Sequence, residues 1–288
     1  MEEVKAAVLV AFKKYLGSIS NTAPPLNVAR TLVLGEARRM IRMPAASPQF
    51  YTMTETLDIL ENRIRESHDI AETLVPPDPI VWVHNNIAAI WTGSQKSVNG
   101  QGALYGVHVF ALLNKPREGW KISGVATAAR NFGEDYPPIS TDPGSEEGSA
   151  VMKPIYQCFE ALKRVKWDEF ERSFHPESGA VLCRDPSSPI ILRLLGLIDR
   201  LRQVRATFPE ECIVEEKISD VEIRVCGDLG FAWTPFTVEV DGVVKSRGVN
   251  IFMLGKEHSG WKIVGLCDTS ELEIDAGDKG GDGRAVIE

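Results

Sequence analysis

His108 lies in the run Gly106-Val107-His108-Val109-Phe110-Ala111-Leu112, and its every-second neighbours Gly106, Phe110 and Leu112 make an apolar strand face. An imidazole in dry surroundings can move a proton near neutral pH, with burial and neighbours setting its pKa. The same residue also fits a core histidine held by hydrogen bonds. Asn250 takes the matching place in Gly248-Val249-Asn250-Ile251-Phe252-Met253-Leu254. Its amide suits a carbonyl or developing oxyanion, and equally a tie to a neighbouring strand. Asp268, in Gly265-Leu266-Cys267-Asp268-Thr269, follows apolar positions on a last strand. Desolvation there would raise its pKa and make it a general base, whereas a strand-end cap or surface ion pair is the other reading. Thr127 stands in its place in the first half and cannot act as a base.

Binding groups accompany these three. Arg42 and Arg184 each precede a Pro-containing turn, in Arg42-Met43-Pro44 and Arg184-Asp185-Pro186. A guanidinium there can grip a substrate carboxylate or enolate through two parallel hydrogen bonds, or form a structural ion pair between halves. Trp91-Thr92 and Trp233-Thr234, with Phe110 and Phe252, fit either an aromatic substrate pocket or core packing. The sequence has no glycine-rich phosphate loop, no H-E-x-x-H and no G-x-S-x-G. Its five histidines are scattered, so neither a metal site nor a cofactor is expected.

The residues come in pairs because the chain repeats itself. Gly119-Trp120-Lys121-Ile122 returns as Gly260-Trp261-Lys262-Ile263, Trp91-Thr92 as Trp233-Thr234, and Asn99-Gly100 as Asp241-Gly242. The offset is 142 residues up to the loop before Gly-Trp-Lys and 141 beyond it. A shift so small over many anchors marks a duplicated unit. The division predicted is a first unit over 1–132, a linker over 133–150, a second unit over 151–273 and a disordered tail over 274–288. The linker and tail are rich in Pro, Gly, Ser and acids.

Each half reads helices first and strands second, an α+β arrangement. Val4, Val8, Phe12 and Tyr15 share one helical stripe, and Thr52 with Glu55 forms a capping box before another helix. In the second half, Val151, Ile155, Phe159 and Leu162 mark one helix, Trp167, Phe170 and Phe174 a second, and Pro189 opens a third over 190–204. Strands then follow through hairpins at Asn99-Gly100 and Asp241-Gly242. Both faces of the 106–112 and 248–254 strands are apolar, so both need cover. The helices of the same half cover one face. The sister sheet, related by an approximate two-fold axis, is the natural cover for the other, giving one chain that imitates a homodimer.

Net charge is −8, with no Lys/Arg cluster, which argues against a nucleic-acid partner. No apolar run is long enough for membrane insertion, and the N-terminus lacks signal-peptide features. Cysteines 158, 183, 212, 226 and 267 contain no C-x-x-C pair and read as buried free thiols. A cytoplasmic, monomeric pseudo-dimer is the expectation.

The helices, the curved sheet, the Asn-Gly or Asp-Gly hairpin, the G-x-[NH]-x-F-x-L strand and G-W-K-I together resemble the nuclear transport factor 2-like superfamily, in particular its SnoaL-like branch. The resemblance covers nearly the whole chain in two copies. It implies two tandem cones, each enclosing an apolar pocket between sheet and helices. It also implies a cofactor-independent enzyme of fungal secondary metabolism: a dehydratase, isomerase or cyclase acting on an apolar polyketide- or terpenoid-like molecule. A non-catalytic binder of the same fold is the alternative. Scytalone dehydratase, a relative by this resemblance, places a pocket asparagine where Asn250 and His108 stand. Its first-helix tyrosine and aspartate correspond to Leu162 and Lys163, so that pair is missing there.

Overall fold

A computed structural model describes residues 1–20, 26–66, 69–134 and 137–272. The predicted tail lies outside these residues. In the first half, α1 (Glu2–Ile19), α2 (Asn27–Thr31), β1 (Arg38–Arg42), β2 (Gln49–Thr52) and α3 (Met53–Arg65) precede the main strands. Those strands are β3 (Ile70–His84), β4 (Ile87–Val98), β5 (Gln101–Lys115) and β6 (Gly119–Asn131). The second half repeats the plan with α4 (Glu146–Lys163), α5 (Trp167–Arg172), β7 (Gly179–Leu182), β8 (Ile190–Arg193) and α6 (Leu194–Arg205). Its sheet is completed by β9 (Val214–Ile218), β10 (Glu222–Cys226), β11 (Leu229–Val240), β12 (Val243–Glu257) and β13 (Gly260–Leu272).

The first sheet runs β2-β1-β6-β5-β4-β3, and the second runs β8-β7-β13-β12-β11-β10 with β9 also paired to β11. The two orders are the same, with β9 and β10 together replacing the long β3. Each half is therefore an α+β cone, and the chain is a tandem of two.

Local chemistry explains most boundaries. Thr52 accepts from the Glu55 backbone while Glu55 reaches back to the Thr52 N–H, so α3 starts on the expected capping box. Asn99 and Gly100 have φ of 52° and 72°, and Asp241 and Gly242 have 50° and 80°. Positive φ at both central residues is what a tight two-residue hairpin demands. Two boundaries differ from the sequence reading. Ser145 caps α4 by accepting from the Gly148 N–H, so this helix begins at Glu146, inside the segment assigned to the linker. The helix expected from 190 starts only at Leu194, because Ile190–Arg193 extends along β7 and pairs with it. β-branched Ile190 and Ile191 favour that extended edge.

The sheets pack face to face. Val109, Ala111, Ile251 and Met253 belong to one buried cluster that spans both halves. The fully buried Phe231 ring lies tilted against Trp82 and Trp91, with centroids 4.6 Å and 6.4 Å away. Burying a side chain of that size contributes about 2 kcal/mol. Polar ties frame this apolar seam. Asn86 donates to the Cys183 carbonyl at 3.0 Å, Trp82 Nε1 to Glu222 at 2.9 Å, and Arg38 pairs with Glu177 at 3.0 Å.

Strand alternation then leaves the opposite face of each sheet for the helices. On that face Phe110 meets Phe12 of α1 with ring centroids 4.9 Å apart. In the second cone Phe252 meets Phe159 of α4 at 5.8 Å.

Candidate functional site

The first cone holds a cavity of about 220 Å³ between α1, α3 and the helix-facing side of its sheet. Ile19, Leu60, Ile70 and Leu104 supply apolar wall. The polar side chains arrive by two-residue alternation: His108 on β5, Ser94 and Lys96 on β4, Glu72 on β3, Thr127 on β6 and Arg39 on β1. Tyr15 comes from α1, one turn on from Phe12.

These groups form one network. Ser94 Oγ donates to Glu72 Oε1 at 2.7 Å and lies 2.7 Å from His108 Nε2. His108 Nδ1 is 3.0 Å from Thr127 Oγ1. With the serine proton given to Glu72, the serine oxygen accepts from Nε2–H, and Nδ1 accepts the threonine hydroxyl proton. The imidazole is thus the neutral Nε2–H tautomer. His108 is only 5% exposed, and Nε2 lies 3.4 Å from Glu72 Oε1. Gly106 leaves room for it, since a Cβ there would sit 2.6 Å from Nε2.

Burial drives the electrostatics. It pushes His108 down to about 4, against the opposing pull of the Glu72 carboxylate and with help from Arg39 and Lys96. Burial would raise the Glu72 carboxyl, but the imidazole, the Ser94 hydrogen bond, Arg39 and Lys96 outweigh it and hold it below its ordinary value. With His108 neutral near pH 7, the hydroxyl and the two cations are the partners that count there. Burial lifts the Tyr15 phenol to about 12, so it stays protonated as a donor. It also lowers Lys96, while Glu72 opposes the drop. The site therefore combines a carboxylate, a neutral imidazole and a phenol beside an apolar hollow.

The second cone keeps part of this pattern. Glu72 pairs across the sheet with Lys96, and Glu216 pairs with Val238, which is the repeat equivalent of Lys96. Asn250 donates to Glu216 at 2.6 Å and lies beside Asp268 on β13. Asp268 is 7% exposed, sits 3.7 Å from Arg184, and among the described residues its Oδ1 has no hydrogen-bond partner. Burial lifts Glu216 to about 7, with Asp268 adding to the rise and the Asn250 amide and Arg184 opposing it. Burial raises Asp268 as well, against Arg184. Phe236 stands where Ser94 stands in the first cone, and a Cβ on Gly248 would meet its ring at 2.7 Å. An aromatic ring thus occupies the place of the first cone's hydroxyl.

Sequence reasoning therefore placed His108 at the first-cone cavity and brought Asn250 and Asp268 together in the second. The two sets lie in separate cones. Phe110 and Phe252 pack under α1 and α4, and Thr92 and Thr234 are buried beside the strands, with Thr234 donating to the Asn250 carbonyl at 3.5 Å. Trp91 and Trp233 belong instead to the buried cluster that spans the two halves. They sit opposite Val109 and Ile251, on the face turned to the sister sheet. Arg42 also turns to the sister half, pairing with Asp228 at 3.0 Å and donating to the Lys256 carbonyl.

The two arginines are not structural equivalents. Ile41 stands opposite Thr127 and Leu182 opposite Asp268, so Arg184 matches Met43 rather than Arg42. A one-residue slip on a strand reverses the face, and it sends Arg184 to Asp268 while Arg42 points away. Tyr15, Arg39, Glu72, Ser94 and Lys96 went unrecognised in the sequence. Glu72 and Glu216 are 144 residues apart, outside the 142-residue repeat, which hid their equivalence. Tyr15 had been absorbed into the apolar stripe of its helix.

No protein-family model and no curated protein matches the chain. Solved structures do resemble it. A nuclear transport factor 2 superfamily protein from Salmonella enterica serovar Typhimurium is 20% identical, covers 47% of this chain and 99% of its own, with a TM-score of 0.37. An NTF2-like protein of unknown function from Shewanella baltica is 16% identical over 44% of this chain and 94% of its own, with a TM-score of 0.34. A cystatin-like-fold protein from Nostoc punctiforme is 10% identical over 44% of this chain and 93% of its own, with a TM-score of 0.38. Each spans under half of the chain. At such identities they say nothing of chemistry, and the tandem α+β assignment rests on the two sheets. Among the described residues, no helix is long and apolar enough to cross a membrane, and no three His, Cys, Asp or Glu side chains group to hold a metal ion.

Proposed function

We propose that the chain is a cofactor-independent enzyme that transfers protons on an apolar small molecule inside the first cone. The observation that carries this reading is the Glu72–Ser94–His108–Thr127 network on the wall of a largely apolar cavity. Glu72 is the base. Its Oε1 is held by Ser94, and among the described residues its Oε2 has no hydrogen-bond partner. His108 positions that carboxylate and is itself oriented by Thr127. Tyr15 supplies a neutral donor for an oxygen that gains charge as the proton leaves. Enolate-type dehydration, isomerisation and aldol-type cyclisation of a polyketide- or terpenoid-like intermediate of secondary metabolism begin with such a step. The second cone serves as its structural partner, and the chain works as a monomeric pseudo-dimer in the cytoplasm.

Deuterium uptake tests this directly. A panel of apolar carbonyl compounds with acidic C–H bonds is incubated with the protein in D2O and followed by mass spectrometry. The wild type should label at least one compound, and Glu72→Gln should slow labelling by about 10²–10⁴-fold. No labelling across the panel, or labelling untouched by Glu72→Gln, refutes the assignment. A binder without turnover is the second reading, favoured by one observation: both ring nitrogens of His108 already have partners within the protein. A compound held in the cavity but never labelled would establish it.

A further inference from the structure

The first cone carries more positive charge than its own acids balance. Alternation along β1 sends Arg38 and Arg42 to the sister half, where they pair with Glu177 and Asp228. Arg39, between them in the sequence, turns the other way and lines the cavity with Ile41 and Met43. Among the described residues it has no hydrogen bond and no ion pair, and its Nε is buried without a partner. Lys96, two residues beyond Ser94 on the same face, also lines the cavity and, among the described residues, makes no ion pair. Glu72 is the carboxylate of the lining, and its Oε1 is already engaged by Ser94. Beside a neutral His108, Arg39 and Lys96, with Arg63 also on the lining, thus face one anion in a largely apolar hollow.

A guanidinium N–H buried without an acceptor is costly unless something fills the gap. The sister cone shows what the fold does without that demand. By sheet register, Ala180 stands where Arg39 stands and Val238 where Lys96 stands, although Glu216 is retained. The fold therefore needs neither cation, and the first cone has both.

We infer that the first cone binds an apolar molecule bearing a carboxylate, with Arg39 gripping the carboxylate and Lys96 supporting it. This inference rests on the same cavity as the proposed proton transfer and names the charge of its substrate. It also joins the two: an anion between Arg39 and Lys96 cancels the field that holds Glu72 low, so the base strengthens when the ligand is seated.

The test compares two probes of one shape, 4-phenylbutyrate and 4-phenylbutanamide, by isothermal titration calorimetry at pH 7.5. The wild type should bind the carboxylate at least about tenfold more tightly than the amide, the discrimination expected of a charge-assisted contact. Arg39→Gln should abolish that preference, Arg39→Lys should keep part of it, and Lys96→Met should weaken it. Thermal unfolding of each variant checks that the fold persists. Equal affinity for the two probes, binding of neither, or a preference that survives in Arg39→Gln overturns the inference. Glu72→Gln keeps the preference under this inference, so a failed deuterium experiment beside an intact carboxylate preference would refute the proton-transfer reading alone.

Discussion

Glu216 offers a test of the electrostatics that needs no substrate. Its carboxyl is raised from 4.5 to about 7 by burial, reinforced by Asp268 and opposed by the Asn250 amide and Arg184. The folded state thus holds this proton more tightly than the unfolded state does. The resulting stabilisation is complete below about pH 4.5 and is lost as pH rises through about 7. A shift of that size corresponds to about 3 kcal/mol of unfolding free energy across the window. Glu216→Gln keeps an acceptor for the Asn250 amide but cannot titrate. Urea unfolding followed by tryptophan fluorescence at pH 4.5, 6 and 8 should show the wild type losing about 3 kcal/mol more than the variant between the extremes. The difference between the two proteins isolates Glu216 from His108, which titrates with the opposite sense. A difference that stays flat over this range, or grows toward low pH, refutes the buried-acid argument.

Two further outcomes follow from the geometry. Gly106→Ala places a methyl group 2.6 Å from His108 Nε2, so the imidazole must swing away from Ser94; deuterium labelling should fall at least about tenfold while stability drops by about 1–3 kcal/mol, and undiminished labelling would show that the Ser94 contact is dispensable. Arg42→Ala removes the Asp228 pair and the bond to the Lys256 carbonyl across the seam; urea unfolding should report a loss of about 1–2 kcal/mol, whereas calorimetry should show unchanged carboxylate affinity, and a weakened affinity would return Arg42 to the binding site.

The hairpins, the capping box and the duplicated plan were legible because each is set by a few neighbouring residues. Asn99-Gly100 and Asp241-Gly242 adopt positive φ at lower cost than most residue pairs, and Thr52 with Glu55 closes its own cap. The double apolar face of β5 and β12 likewise announced the sister sheet, since an uncovered face of that kind would leave large apolar area in water. His108 was recognisable because a titratable ring amid Val, Phe and Leu is conspicuous. Glu72 was not, because Ile70-Ala71-Glu72-Thr73-Leu74 reads as an ordinary polar edge. Its importance comes from Ser94 and His108, which are 22 and 36 residues away in the chain and neighbours only across the sheet.

The sequence by itself determined the repeat, the α+β plan of each half and the pairing of one sheet against the other. All three are written in local spacing and in the period of two along each strand. Only the tertiary structure decided which arginine belongs to the cavity, because Arg39 and Arg42 share a strand and differ in parity, and parity gains meaning only when one face has been assigned to the helices. The fate of the second cone was settled the same way. Phe236 takes the place of Ser94, and Ala180 and Val238 take the places of Arg39 and Lys96, so the shared glutamate lies low in one cone and high in the other, where Arg184 and the Asn250 amide only partly oppose burial. A carboxylate's strength depends on the charges and water around it, and those are fixed by strands that meet only once the chain has folded.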